Sequence, residues 1–302
     1  MKKYKDIVGD GGSNILAQVQ DQQRRLRSRM DKIRHKIAVV SGKGGVGKSA
    51  FCANLACGLA QRQYRVGVLD ADLNGPSMAR MLGIQDRKLS IEKEGVKPAV
   101  GPLGIQVISM GILLEENAPT RWKSLVQEES FIWRGAMEAG TLREFLSDVN
   151  WGDLDFLLLD LPPGTDRIAT LGQLLPEADL VVLTLPSDVS QMVVKKSLAL
   201  AQEARLSILG LVENMAGLFP GHASGEELAK AFGVRFLGAI PYDPALTAGT
   251  DQGQPLVLSP LETPSRRAME SVTEALLDIL LTPHPHPLPR GEGVRVRGGA
   301  TT

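Results

Sequence analysis

Cysteine is almost missing: Cys52 and Cys57 are the two in 302 residues. A disulfide framework is thereby excluded, and the composition suits a reducing, cytoplasmic compartment. Net charge is missing too, with 34 basic against 34 acidic residues, so no global basic field draws nucleic acid or an acidic membrane. There is no apolar run of about 18 residues and no signal-peptide pattern, so neither membrane spanning nor secretion is expected. What remains is a length compatible with one α/β unit of about 250 residues plus extensions, enough to bury a large core.

The most informative stretch is Ser41-Gly42-Lys43-Gly44-Gly45-Val46-Gly47-Lys48-Ser49. It fits the phosphate-loop pattern G-x-x-x-x-G-K-[ST], with Gly42, Gly47, Lys48 and Ser49 at the fixed places. The glycines allow a turn tight enough to aim several backbone N–H groups at one phosphate chain, and a helix N-terminus behind it adds the positive end of its dipole. Lys48 is expected to reach the β- and γ-phosphates of ATP, and Ser49 to hold Mg²⁺. The flanks agree: Lys36 to Val40 reads as a buried strand and Ala50 to Gln61 as a helix.

Along the chain, residues 1–35 read as an N-terminal arm and a basic amphipathic helix. Met1 to Gly12 is polar and loose; from Ser13 onward Ile15, Val19, Leu26, Met30 and Ile33 recur at near-helical spacing. Arg24, Arg25, Arg27, Arg29, Lys32, Arg34 and Lys36 face only Asp31 over that span. Such a face could meet nucleic acid or an anionic partner; a solvated face with its apolar stripe on the core or on a second subunit is preferred, and nucleic acid is not expected. Residues 36–282 read as the ATPase domain. Arg65 to Leu69 is a strand leading into Asp70-Ala71-Asp72, two aspartates where α/β sheets bind ligands, beside the loop and suited to Mg²⁺ and an attacking water. Leu82 to Gly104 reads as an exposed excursion with room for a hairpin, and Ile105 to Met110 as a strand. Ala136 to Val149 is a helix. Leu154 to Asp160 is an apolar strand ending in a carboxylate, followed by a switch-like turn at Pro162 to Thr165. Strands at Ala178 to Leu185, Ser207 to Glu213 and Val234 to Ile240 alternate with helices at Val189 to Ala204 and Gly225 to Phe232, and Glu262 to Leu281 closes the domain. This alternation predicts a doubly wound, mostly parallel sheet with helices on both faces. Residues 283–302, rich in Pro, Gly, Arg and His, are expected to be a disordered tail in which His284 and His286 are solvated.

Lys43 is a second lysine inside the loop, beyond what cradling the phosphates needs. Gly-Lys-Gly-Gly-Val-Gly-Lys-Ser resembles the deviant phosphate loop of the ATPase class that includes the MinD, ParA and Mrp proteins. The resemblance implies a homodimer with ATP between the subunits and Lys43 reaching the partner's nucleotide, much as an arginine finger does. Trp133-Arg-Gly135, Val149 to Asp155, Asp160-Leu-Pro-Pro-Gly-Thr165, Glu213-Asn-Met215 and Gly238 to Asp243 narrow the likeness to the Mrp family of iron–sulfur cluster carrier ATPases. Carried over by position, Lys43, Lys48 and Asp72 are the catalytic candidates, with Asp72 orienting or activating water. Gly42, Lys43, Gly44, Gly45, Val46, Gly47, Lys48 and Ser49 would hold ATP, Ser49, Asp72 and Asp160 would serve Mg²⁺, and Asn214 and Pro241 would frame the adenine. A cluster client or scaffold protein is the implied partner.

The chain departs from that pattern in two places. The family's Cys-x-x-Cys after Glu-Asn-Met, which holds a cluster between two subunits, is replaced by Ala216 to Gly225, where His222 is the lone ligand type and reads as a plain loop residue. Cys52 and Cys57 sit five apart on the loop helix, so their side chains diverge by roughly 140° and cannot grip one cluster; they read as small buried hydrophobes. Thr165-Asp166-Arg167 stands where the family has Thr-Gly-Asp. Two functions are therefore expected to compete: an Mrp-like ATPase in iron–sulfur cluster assembly, and a nucleotide-gated dimeric switch that recruits a protein, DNA or membrane partner and binds no cluster.

Overall fold

The computed structural model describes residues 15–72, 75–113, 134–218 and 224–282. The calls on Met1 to Gly12, on Trp133, on His222 and on residues 283–302 lie outside them.

Helix α1 (Ile15–Met30) leads into strand β1 (Ile33–Ser41), followed by α2 (Lys48–Gln61) and β2 (Val66–Asp70). A short α3 (Met78–Met81) precedes the hairpin β3 (Ser90–Glu92) and β4 (Gly95–Lys97), then β5 (Ala99–Val100), β6 (Gln106–Ser109) and α4 (Met110–Leu113). After α5 (Arg134–Asp148) come β7 (Leu154–Asp160), α6 (Asp166–Leu174), β8 (Asp179–Thr184) and α7 (Asp188–Glu203). The domain closes with β9 (Ser207–Ala216), α8 (Gly225–Ala231), β10 (Phe236–Pro241), α9 (Pro244–Asp251) and α10 (Pro264–Leu281).

Eight strands form one sheet in the order β10-β9-β8-β1-β7-β2-β6-β5. All neighbours run parallel except β5 and β6, which pair antiparallel at one edge. Parallel strands need helical crossovers, and these cover both faces, which is why the central strands read as unbroken apolar runs. Side chains alternate between two cores. Val39, Val68, Leu158 and Val181 pack with Leu55, Leu59, Met269 and Val272 of α2 and α10. Ala38, Val40, Leu157, Leu159, Leu180 and Val182 pack with Phe145, Leu146, Leu171 and Leu198 of α5, α6 and α7.

Two sequence expectations need correction. Ile33 belongs to β1 and not to the basic helix: α1 stops at Met30, and Ile33 pairs with Leu154 of β7. The 3–4 spacing that carries Met30 to Ile33 merely places both apolar side chains on the same core. The excursion after Leu82 does contain a hairpin, but it is not simply exposed; Ile84, Val96 and Ala99 are buried, and β5 extends the main sheet. The basic face of α1 is partly engaged: Arg29 donates to Asn150 Oδ1 at 2.7 Å and to the Glu94 carbonyl, and Arg25 lies 3.6 Å from Asp148.

Candidate nucleotide-binding site

The C-terminal ends of β1, β7 and β2 come together, and the glycine-rich loop rises from the first of them. Gly45 and Gly47 take φ of 78° and 80°, left-handed values that cost a side-chain-bearing residue about 1–2 kcal/mol. Gly47 is the N-cap of α2, so the first N–H groups of that helix open toward the loop. Space reinforces conformation. A Cβ on Gly42 would run into Val193 of α7, and one on Gly47 would run into the Asn214 carboxamide. Asn214 Nδ2 donates to the Val46 carbonyl at 2.8 Å, and Gly164 N–H donates to the Ser41 carbonyl at 3.2 Å, so β9 and the turn after β7 both brace the loop.

Lys48, on the first turn of α2, pairs directly with Asp160 Oδ1, and both side chains are buried. Asp160 Oδ2 is buried without a hydrogen-bond partner. Such an orphaned carboxylate oxygen is costly unless a cation or donor meets it. Asp70 is the register partner of Asp160 on the neighbouring strand. It accepts from Ser77 N–H and Met78 N–H at 3.1 Å and from Ser109 Oγ at 2.8 Å, so it anchors the loop that leaves β2. Burial, and then the nearby Asp160 charge, push its carboxyl up to about 7 against the pull of those donors.

Of the two aspartates at the end of β2 and just beyond it, the deeper one is thus spent on structure. Asp72, two residues on, is half-buried and accepts from Gly75 N–H at 3.1 Å. Lys43, Gly44 and Gly45 are exposed and Ser49 is half-buried. Asn214 and Pro241 lie together at the ends of β9 and β10, where Asn214 pairs with Ile240, and the Pro241 carbonyl accepts from Ser265 Oγ at 3.1 Å. The sequence reading gave Asp70 and Asp72 one shared role beside the loop and passed over Ser109; the signal that sets Asp70 apart was there, since it ends an apolar strand just as Asp160 does.

Cys52 and Cys57 are free and buried. Burial pushes the Cys57 thiol up to about 12 and the Cys52 thiol well above its usual range, so neither offers a thiolate. Among the described residues no three His, Cys, Asp or Glu side chains gather as a metal cage, and no helix is long and apolar enough to cross a membrane.

A glycine-rich loop between a parallel strand and a helix, with a buried lysine and two strand-end carboxylates, defines a P-loop NTPase. Residues 32–277 match the family described as ParA: NUBPL iron-transfer P-loop NTPase, and the chain belongs to that family. It is 36% identical over 278 residues to an iron-sulfur cluster carrier protein of Saccharolobus solfataricus, covering 88% of this chain and 90% of that one. It is 41% identical over 256 residues to the protein so named in Methanocaldococcus jannaschii, covering 81% and 84%. Among solved structures, a nucleotide-binding protein of Archaeoglobus fulgidus in complex with ADP is 35% identical, with a TM-score of 0.65 over 79% of this chain and 94% of that one. The Pyrococcus furiosus cell division ATPase MinD, 21% identical with a TM-score of 0.59 over 81% and 99%, shares the fold.

Proposed function

We propose that the chain binds Mg-ATP and hydrolyses it slowly as a homodimer in the cytoplasm, and that this cycle serves iron–sulfur cluster assembly or transfer. The observation that carries the reading is the buried Lys48–Asp160 pair beside a loop that is exposed at Lys43, Gly44 and Gly45 and capped onto α2 by Gly47. Names of relatives at 36–41% identity support the cargo class.

The donor set fits Mg²⁺. Asp160 has an unused buried oxygen, Ser49 follows Lys48 on the same turn, and a nucleotide-bound Mg²⁺ takes only one or two carboxylates beside the phosphates. Ser49, Asp160 and Asp72 would hold it or its waters, and it would neutralise charge developing on the phosphate oxygens. The loop amides and Lys48 bind and orient the triphosphate. Asp72 orients a water in line with the γ-phosphorus; the new P–O bond forms as the bond to the β-phosphate oxygen breaks, ADP departs, and the water's proton passes through Asp72 to solvent. Lys43, exposed on the loop, would reach the nucleotide of a partner subunit.

The thiols favour the second reading, a nucleotide-gated switch that carries no cluster, because the chain's two cysteines are both buried on α2. Two measurements on the full chain decide. Mg-ATP at about 100 times its dissociation constant is expected to add about 2.7 kcal/mol to stability, and phosphate release should follow; no shift sinks the nucleotide reading. Anaerobic reconstitution with iron and sulfide separates the two functions: stoichiometric visible absorbance supports the carrier, and its absence the switch.

A further inference from the structure

Three carbonyls along the glycine-rich loop and its root each meet a donor. Ser41 accepts from Gly164 N–H at 3.2 Å, Lys43 from Ser41 Oγ at 3.0 Å, and Val46 from Asn214 Nδ2 at 2.8 Å. The third donor is a side chain on a strand. Asn214 is buried in β9, which lies between β8 and β10, and it pairs with Ile240, so its own backbone is held on both sides. Because the group it meets is a carbonyl oxygen, its carboxamide must present nitrogen there; the carboxamide oxygen would repel. A trans peptide carries its C=O and its N–H on opposite sides, and among the described residues no peptide is cis. Holding the Val46 carbonyl toward β9 therefore holds the Gly47 N–H on the side turned away from β9. This plane rotates about ψ of Val46 and φ of Gly47. Glycine takes either sign of φ at little cost, and Gly47 stands at 80°, so the local backbone does not choose between the two orientations. The Asn214 hydrogen bond does. The same carboxamide excludes a side chain at position 47, since a Cβ there would run into it.

We propose that Asn214 is a positioning residue for the phosphate loop, whose carboxamide sets the Val46–Gly47 peptide so that the Gly47 N–H is presented to the phosphate chain before the nucleotide arrives. This role rests on the nucleotide-binding reading and differs from the adenine-framing role that the family resemblance implies for the same residue. A phosphate chain is gripped by several backbone N–H groups acting together. With this one plane reversed, a carbonyl oxygen faces the anion where a donor should stand. Apparent affinity scales with the fraction of molecules already in the competent form, and a hydrogen bond from a rigid strand raises that fraction. The effect belongs to the phosphates and is independent of the base.

The test titrates the full chain with Mg-ATP and with Mg-tripolyphosphate, which offers the phosphates without a base. Asn214→Leu keeps the size of the side chain and removes the donor; it is expected to weaken both ligands by the same factor, roughly 10-fold. Glu213→Gln is the control, because the neighbouring Glu213 accepts from Gly225 N–H; it should bind both ligands like the wild type. In chain labelled with ¹⁵N-glycine, the Gly47 amide resonance should move on adding Mg-tripolyphosphate in the wild type and stay in place in Asn214→Leu. If Asn214→Leu is too unstable to titrate, Asn214→Ala replaces it, and a smaller rise in melting temperature with saturating Mg-tripolyphosphate than in the wild type reads the same loss. Any one of four results overturns the proposal: a loss confined to Mg-ATP, unchanged affinity or an equal melting rise in the Asn214 variant, an equal loss in Glu213→Gln, or the same Gly47 shift in both chains. A wild type that binds neither ligand overturns this role and the nucleotide reading together, whereas a wild type that binds both no better than Asn214→Leu overturns this role alone.

Discussion

Strand β7 carries an aspartate near each end, and the two lead opposite lives. At its start Asp155 is gripped by Arg65 through contacts of 3.1 and 3.2 Å, with the side chains 24% and 60% exposed. At its end Asp160 pairs with Lys48, with the side chains 0% and 6% exposed. Hydrogen bonding from Arg65 holds the Asp155 carboxyl below its usual range, while burial beside Asp160 drives the neighbouring Asp70 upward. Both ends are ionic, yet water reaches only one. The difference teaches where this fold keeps its working charge: parallel strands gather helix N-termini and loops at their C-terminal ends, and desolvation there makes each charge expensive unless a ligand or partner meets it. At the wet end the same chemistry only pins strands together.

The comparison breaks most visibly at Lys48. Lys48→Met leaves Asp160 buried and unpaired, so a loss of about 3–5 kcal/mol is expected in chemical unfolding, together with loss of Mg-ATP binding. Adding Asp160→Asn should restore most of that stability while binding stays lost. If the double variant is no more stable than the single one, the cost at Lys48 is not the stranded charge.

A second break lies in the pH dependence. In the folded chain Asp70 keeps its proton up to about pH 7, whereas unfolded it ionises near pH 4. The folded state therefore binds more protons across that window, so this group's stabilising contribution is fully present below about pH 4 and lost as pH rises through about 7. Unfolding free energies of the Mg-free protein are expected to fall by a few kcal/mol between these limits, a slope that Asp70→Asn flattens. Persistence of the slope in that variant assigns it elsewhere.

A smaller contrast sits inside the loop, between buried Lys48 and exposed Lys43. Lys43→Ala should leave binding intact and lower turnover by roughly 10²-fold or more, since trans-acting cations in phosphoryl transfer contribute about 10³ to 10⁵. Turnover per chain should also rise with protein concentration if a partner supplies the group. An unimpaired Lys43→Ala removes the cross-dimer role.

How much of this was legible follows from the range of each interaction. The glycine-rich loop and β7 could be read because backbone conformation and two-sided burial leave their mark on consecutive residues. The anchoring of Asp70 could not, since it depends on Ser109, 39 residues on, and its place beside Asp160 depends on β2 and β7 being neighbours in the sheet. Helix α6 was missed for a related reason. Its first residues, Asp166 and Arg167, read as a broken switch motif, and only the packing of Ile168, Leu171 and Leu175 into the core turns the stretch into a helix. The bracing of the loop by Asn214 was equally hidden; the sequence singled out the residue, but its hydrogen bond to Val46 spans 168 positions.

The wet end gives the sharpest control because it should do so little. Arg65 makes two side-chain contacts to Asp155, and its backbone N–H adds a third at 2.8 Å that survives any substitution except proline. Arg65→Ala therefore removes a largely solvated pair without stranding a buried charge, and exposed pairs are worth about 0.2–1 kcal/mol. A loss within that range, shrinking further in 1 M salt and with hydrolysis unchanged, is expected from urea unfolding. A loss as large as that from Lys48→Met would mean that exposure does not separate the two ends of β7, and the account of why charge at the C-terminal end is functional would have to be rebuilt on geometry alone.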